Sequence, residues 1–260
     1  MRIERRYTKD GQSAYANIGF RLTTSEIRNP DGSPAPRGRS ADADCLSQAV
    51  RRIVILISGR GSNMQALLKA GLPAGVAAVI SNESAAPGLE IARAHAVATA
   101  VVDHRQFPDR AGFDSALADA VASYDPDLVV LAGFMRVLTG AFLGRFAGRT
   151  INIHPSLLPA FPGTHTHRRA IEAGVKIHGC TVHFVTPTLD SGPIVIQAAV
   201  PVLPDDTEDT LAARVLEQEH RVLPQAVRWF LEDRLRVQDQ RVLLSGESRY
   251  PASITSPLTA

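Results

Sequence analysis

Short β-branched runs alternate with amphipathic segments along the chain from Ile53 onward. Continuous apolar runs of this length are typical of strands buried on both faces of a parallel sheet. The pattern predicts strands over 53–57, 76–80, 98–102, 128–131 and 150–153, with two further strands over 180–185 and 194–200. The intervening segments predict helices over 63–70, 89–95 and 113–123, and a long amphipathic helix over 207–231. This alternation indicates βαβ units, and therefore an α/β fold with a parallel sheet and right-handed crossovers.

The two ends of the chain lack this pattern. Residues 1–50 show no sustained period of two or 3.6, and they contain a turn-rich run from Arg28 to Pro36. We predict a flexible N-terminal arm there rather than a domain, because such a stretch buries little apolar surface. The folded domain is then residues 51–244, followed by a polar tail over 245–260.

Composition limits the function classes. Hydrophobic residues make up 45% of the chain, enough for a sizeable core. The net charge of +2 comes from residues 1–52, which carry +4 against −2 for the rest, so the body has no basic surface typical of nucleic-acid binding. Two cysteines cannot form a disulfide framework and fit a reducing cytoplasm. No apolar stretch predicts a signal peptide or a membrane span.

The first candidate site is a glycine turn, Ile57-Ser58-Gly59-Arg60-Gly61-Ser62-Asn63, between a strand and a helix. Glycines allow a tight turn, and the free N–H groups of the following helix favour an anion such as phosphate. Met64 stands where a dinucleotide fingerprint has its third glycine, which weakens that interpretation. An ordinary strand-to-helix turn capped by Ser62 or Asn63 is an equally good explanation.

The second candidate is the segment from Asn152 to Pro159, where a strand ends and a proline-bounded loop begins. Alternation places Asn152 and His154 on one side of the strand, at the edge where α/β sheets bind ligands. An amide beside an imidazole suits oxyanion stabilisation or proton transfer in acyl chemistry. We favour this function over a purely structural histidine.

A third candidate is Asp190, in the turn Leu189-Asp190-Ser191-Gly192-Pro193 before a strand. The usual explanation for an Asp in such a turn is an Asx-turn. The functional alternative is that Asp190 reaches His154 and favours its imidazolium form. Sequence spacing cannot establish that contact.

Two other chemistries are not expected. His165 and His167 have no Cys, Asp or Glu close by in the motif, so a zinc site is disfavoured and we predict no metal. The chain has no Gly-x-Ser-x-Gly elbow, which argues against serine-based hydrolysis.

Five segments in order resemble the phosphoribosylglycinamide formyltransferases, within the formyltransferase family. These segments are Ile57 to Asn63, Leu131 to Arg136, Asn152 to Pro159, Leu189 to Pro193, and Gln218-Glu219-His220. The resemblance runs from about Ile53 to Leu244. It implies a Rossmann-like, mostly parallel sheet with helices on both faces, which is the formyltransferase fold.

The resemblance also implies an activity and a set of site residues. The activity is formyl transfer from 10-formyltetrahydrofolate to the amine of phosphoribosylglycinamide in purine synthesis, by direct attack through a tetrahedral intermediate and without a metal. By matching motifs, Asn152, His154 and Asp190 are implied to be catalytic, and Gly61, Ser62, Asn63 and Glu219 to bind the ribonucleotide. The implied folate contacts, some of them shared with the catalytic set, are Arg110, Met135, Arg136, Val137, Leu138, Asn152, Thr186, Pro187, Thr188, Leu189 and Asp190.

Three alternatives remain at this point. Formyltetrahydrofolate deformylase has similar Asn, His and Asp residues but carries an N-terminal regulatory domain, for which residues 1–50 are too short. Methionyl-tRNA formyltransferase would need an RNA-binding domain after Leu244. A nucleotide-binding regulatory module would leave Asn152, His154 and Asp190 unexplained. We therefore expect a cytoplasmic enzyme with two small-molecule substrates, monomeric or homodimeric, that binds neither nucleic acid nor membrane.

Overall fold

The computed structural model describes residues 50–246 and Ser256. The predicted arm therefore lies outside the described residues except for Val50, and the predicted tail does so except for Ser245, Gly246 and Ser256. No helix among the described residues is both long enough and apolar enough to cross a membrane.

The described residues form a nine-stranded sheet with six α-helices. The strands are β1 (Arg51–Ile57), β2 (Ala74–Ser81), β3 (Ala98–Val101), β4 (Leu128–Leu131), β5 (Thr150–His154), β6 (Ile177–Phe184), β7 (Ile194–Pro201), β8 (Leu235–Gln238) and β9 (Arg241–Leu244). The helices are α1 (Ser62–Lys69), α2 (Pro87–Ala94), α3 (Arg110–Ala122), α4 (Gly140–Arg145), α5 (Thr166–Glu172) and α6 (Glu208–Leu231). A short 3-10 turn spans His104–Gln106.

The strand order is β3-β2-β1-β4-β5-β6-β7-β9-β8. The first five strands in this order pair in parallel, whereas β6 pairs antiparallel with both β5 and β7. The carboxyl ends of β1, β4 and β5 therefore lie along one edge, where open α/β sheets bind their ligands.

Helices cover both faces of the sheet, as β1 shows most clearly. Its residues Ile53, Ile55 and Ile57 pack in one core with α1, α2 and α6, while Val54 and Leu56 pack in a second core with α3 and α4. Successive side chains of a strand point to opposite faces, so the unbroken apolar run of β1 supplies both cores. The predicted α/β class, with a mostly parallel sheet and helices on both faces, is confirmed.

All seven predicted strands and all four predicted helices are present, with ends shifted by up to three residues. The sequence interpretation missed α4 and the hairpin of β8 and β9, and it placed only a helix start near His165 and His167, without the range of α5. Because α4 and α5 have six and seven residues, they are too short for a 3.6-residue period to stand out. The strands β8 and β9 have four residues each and lie mostly exposed at the sheet edge, so they lack the apolar run of a buried strand.

Candidate active site

A cavity of about 420 Å³ opens at the carboxyl ends of β4 and β5. The end of β5 supplies Asn152 and His154, and the neighbouring strand β6 supplies His183. Two loop segments form further walls, 133–138 and, apart from Thr188, 185–190. The cavity thus lies at the sheet edge where the sequence predicts the site.

The β5 strand directs its polar side chains into this cavity. Ile151 and Ile153 belong to the core with α6, so Asn152 and His154 point to the opposite side of the strand. The predicted common orientation of Asn152 and His154 is confirmed by this packing of their neighbours, and both side chains line the cavity. His154 is itself nearly fully buried.

The two ring nitrogens of His154 have different partners. Its Nε2 lies 3.0 Å from the carbonyl oxygen of Phe161, which only accepts hydrogen bonds, so Nε2 carries a proton. Its Nδ1 lies 3.4 Å from Oδ2 of Asp190. Both ring nitrogens of His154 therefore face oxygen acceptors.

The loop after β5 is held rigidly by side chains of the neighbouring strands. Thr181 of β6 donates to the carbonyl of Ser156 at 2.7 Å and accepts from the backbone N–H of Leu158 at 3.0 Å. Gln197 of β7 donates to the carbonyl of Leu158 at 2.9 Å. These bonds fix the loop that brings the Phe161 carbonyl to His154.

Asp190 reaches across from the turn between β6 and β7. Its backbone is left-handed, with φ of 48°, and its Oδ2 accepts a hydrogen bond from the N–H of Gly163 at 2.8 Å. The hydroxyl of Ser191 closes the turn by donating to the carbonyl of Thr188. The Asp190 carboxylate thus contacts His154 and the loop after β5, which is the contact that sequence spacing could not establish.

Asn152 is oriented by a residue that the sequence interpretation did not include in the site, His183. The two lie opposite each other in the antiparallel β5 and β6 pair, and Nδ2 of Asn152 is 3.2 Å from Nε2 of His183. Burial lowers the pKa of His183, which favours the neutral ring. Its Nδ1 donates to the carbonyl of Phe184 at 2.9 Å, so Nε2 accepts from the Asn152 amide. One N–H of that amide stays available to a ligand.

The glycine turn is a separate feature. Gly61 precedes α1 with φ of 75°, and a Cβ on it would lie 2.8 Å from Cα of Gly88 at the start of α2. This position therefore requires glycine for its backbone and for helix packing as well as for any approach of phosphate. Nearby, Nδ2 of Asn63 donates to Oε2 of Glu219 at 2.6 Å, joining α1 to α6. Burial raises the pKa of Glu219, and the Asn63 bond opposes this rise.

The structure brings most, but not all, of the predicted site residues into the cavity. Those that line it are Met135, Arg136, Val137, Leu138, Asn152, His154, Thr186, Pro187, Leu189 and Asp190. Those that do not are Gly61, Ser62, Asn63, Arg110, Thr188 and Glu219. Arg110 is the exposed first residue of α3, and the four residues predicted to bind the ribonucleotide lie at the glycine turn, in α1 and in α6.

The titratable lining residues that fell outside the predicted set are His165, His167, His183 and Glu208. His183 could have been found by pairing the predicted strands over 150–153 and 180–185, but the pairing register is not readable from sequence. Within residues 50–246, no cluster of three or more His, Cys, Asp or Glu side chains suits a metal ion.

Comparison with protein families gives a match to the formyl transferase family over residues 51–227. Among curated proteins, phosphoribosylglycinamide formyltransferase of Escherichia coli is 47% identical over 203 residues, which span 76% of this chain and 96% of that protein. The human trifunctional purine biosynthetic protein adenosine-3 is 41% identical over 201 residues, 76% of this chain and 20% of that protein.

Solved structures agree with these relatives. Glycinamide ribonucleotide transformylase 1 from Symbiobacterium toebii aligns with a TM-score of 0.74 and 49% identity, covering 76% of this chain and 95% of that one. Phosphoribosylglycinamide formyltransferase from Coxiella burnetii aligns with a TM-score of 0.72 and 45% identity, covering 75% and 94%. The resemblance drawn from five sequence segments is confirmed, and nothing in these comparisons favours the deformylase alternative.

Proposed function

Because the chain belongs to the formyl transferase family, we propose that it transfers a formyl group to the amine of phosphoribosylglycinamide in purine biosynthesis. The observation that carries this proposal is the convergence of Asn152, His154 and Asp190 on one cavity, in a chain that spans almost the whole E. coli relative. The domain that does this is residues 51–244, acting as a monomer or homodimer.

The formyl donor in this proposal is 10-formyltetrahydrofolate, bound in the cavity. Met135, Val137 and Leu189 are exposed apolar side chains on its walls, which suits a flat aromatic ligand. Arg110 and Thr188, which do not line the cavity, remain predicted contacts for the parts of the folate that extend beyond it.

The acceptor in this proposal places its phosphate at the glycine turn. The first N–H groups of α1, which begins at Ser62, have no partner within the helix and attract an anion. Asn63 and Glu219 meet beside this turn, where a buried carboxylate suits a ribose hydroxyl donor. The amine would then extend from the turn toward the cavity.

The chemistry that we propose uses hydrogen-bond donors already aimed at the cavity. The acceptor amine forms a bond to the formyl carbon, and the free N–H of Asn152 and protonated His154 stabilise the resulting oxyanion. Asp190 faces Nδ1 of His154 and helps move one proton from the attacking nitrogen to the departing folate nitrogen. The bond from the formyl carbon to the folate nitrogen then breaks, giving tetrahydrofolate and the formylated ribonucleotide. These steps need no metal ion.

Substitution of the two β5 residues tests the proposed function. We expect Asn152→Ala and His154→Ala each to lower turnover about 100-fold or more, because each removes an oxyanion donor. His95→Ala is the matched control, since His95 is exposed at the end of α2. The measurement is the joint formation of tetrahydrofolate and formylated ribonucleotide. Turnover that survives both substitutions would place the chemistry elsewhere.

A further inference from the structure

One wall of the cavity, the segment 133–139 between β4 and α4, has no helix or strand of its own. We call it the wall segment. Its Met135 and Val137 side chains are 73% and 43% exposed, so little apolar packing holds them in place. Phe134 and Leu138 of the same segment are buried in the core with α3 and α4, so side-chain packing holds these two positions. The exposed Met135 and Val137 lack such packing, and their placement depends on how the backbone of the segment is held.

The first anchor is Ser58, the residue after β1. Its hydroxyl oxygen accepts from the N–H of Met135 at 2.7 Å, and its proton goes to Oδ1 of the buried Asn82 at 2.5 Å. Asn82 follows β2, so two neighbouring strand ends support this bond. The backbone N–H of Ser58 also donates to the carbonyl of Gly133 at 3.1 Å.

The second anchor is Asp114 of α3, which is fully buried in the core with α4. Its Oδ2 accepts from the N–H of Thr139 at 2.5 Å, at the other end of the wall segment. Its Oδ1 has no hydrogen-bond partner among the described residues. Asp114 thus holds the residue directly before α4 by a buried hydrogen bond, which is costly to leave unmade.

We propose that Asp114 and Ser58, the latter supported by Asn82, are positioning residues that clamp the wall segment and so set the binding geometry of the formyl donor. The inference rests on the proposed function, which places the donor in this cavity. Neither residue touches the reacting atoms. Both act through backbone N–H groups at the two ends of one wall.

The kinetic test uses Asp114→Ala and Asp114→Asn. Alanine leaves the Thr139 N–H without its acceptor, and we expect KM for 10-formyltetrahydrofolate to rise at least about five-fold. KM for the ribonucleotide should not change. Asparagine still offers an oxygen to this N–H and should restore a KM close to that of the unmodified protein. Asp119→Ala is the matched control, because Asp119 is exposed on the same helix and pairs with Arg145 of α4.

Hydrogen exchange followed by NMR tests the clamp without any turnover. The Thr139 N–H should exchange faster in Asp114→Ala, and the Met135 N–H faster in Ser58→Ala, while amides within β1 keep their rates. Ser123→Ala, at an exposed helix end, is the control for the serine change.

Unchanged exchange at both amides would overturn the proposal. A uniform rise in exchange rates that includes the amides of β1 would also overturn it, because such a rise indicates general loosening of the structure. A lower kcat with an unchanged KM for the formyl donor would do the same, because the wall segment would then not affect donor binding. If the unmodified protein shows no formyl transfer, the proposed function fails, and the exchange rates still decide whether the wall segment is clamped.

Discussion

At the residue scale, the site depends on which atom of each polar side chain faces the cavity. The shared orientation of Asn152 and His154 followed from strand alternation alone, because the period of two is a local property. The Asp190 contact and the His183 support did not, because both join residues that are far apart in sequence. Strand register and turn shape determine those contacts, and neither is encoded in a local pattern.

Asp190→Asn separates a catalytic carboxylate from a turn residue. The amide oxygen can still accept from the N–H of Gly163, so the turn and the melting temperature should change little. Turnover should fall about 100-fold, because the charge that favours protonated His154 is lost. The measurement is turnover against pH beside thermal melting, with His154→Ala for comparison. Normal turnover of Asp190→Asn at every pH would show that the pairing has no catalytic role.

We predict that His178, which contacts the cavity residue His167, makes the stability of the protein depend on pH. Burial, followed by the effect of the neighbouring His167 and His154, lowers its pKa from 6.5 to about 4. Below pH 6.5 His178 becomes protonated in the unfolded chain, whereas in the native protein it stays neutral until about pH 4. The free energy of unfolding therefore falls as the pH drops through this window. The loss at pH 4.5 should be roughly 2 kcal/mol.

Urea unfolding at pH 7 and pH 4.5 tests this dependence. His178→Gln should lose less stability on acidification than the unmodified protein, by the amount that His178 contributed. His95→Gln is the control, because His95 is exposed. An identical loss in all three proteins would mean that His178 titrates normally in the native state.

At the element scale, the strands with long apolar runs were predictable and the short elements were not. The run of β1 predicted its burial because each of its faces packs against different helices. By contrast, α5 begins directly after the left-handed residue His165 and is only seven residues long. Tertiary contacts with the loop after β5 and with α6 determine such an element, so no local period announces it.

Gly192 tests how strictly the turn between β6 and β7 is shaped. A Cβ on this residue would lie 1.8 Å from the carbonyl oxygen of Phe184, which backbone atoms cannot tolerate. Gly192→Ala should therefore shift the turn that carries Asp190 and lower turnover at least ten-fold. Gly144→Ala, in α4 with open space around it, should leave turnover unchanged. The two variants are compared by turnover and by thermal melting, and equal behaviour would mean that the turn adapts.

At the scale of the whole molecule, the cavity and the glycine turn lie along the same edge of the sheet. The cavity lies at the carboxyl ends of β4 and β5, and the glycine turn follows the carboxyl end of β1. A donor in the cavity and an acceptor at the turn would therefore meet above adjacent strands. This arrangement predicts that the enzyme delivers the formyl group to an amine and not to water.

A steady-state assay with 10-formyltetrahydrofolate tests that claim most directly, run with and without phosphoribosylglycinamide. We predict that donor consumption requires the ribonucleotide, with one formylated product formed for each tetrahydrofolate released. Donor consumption at the same rate in the absence of the ribonucleotide, with release of formate, would contradict the account and identify a hydrolase instead.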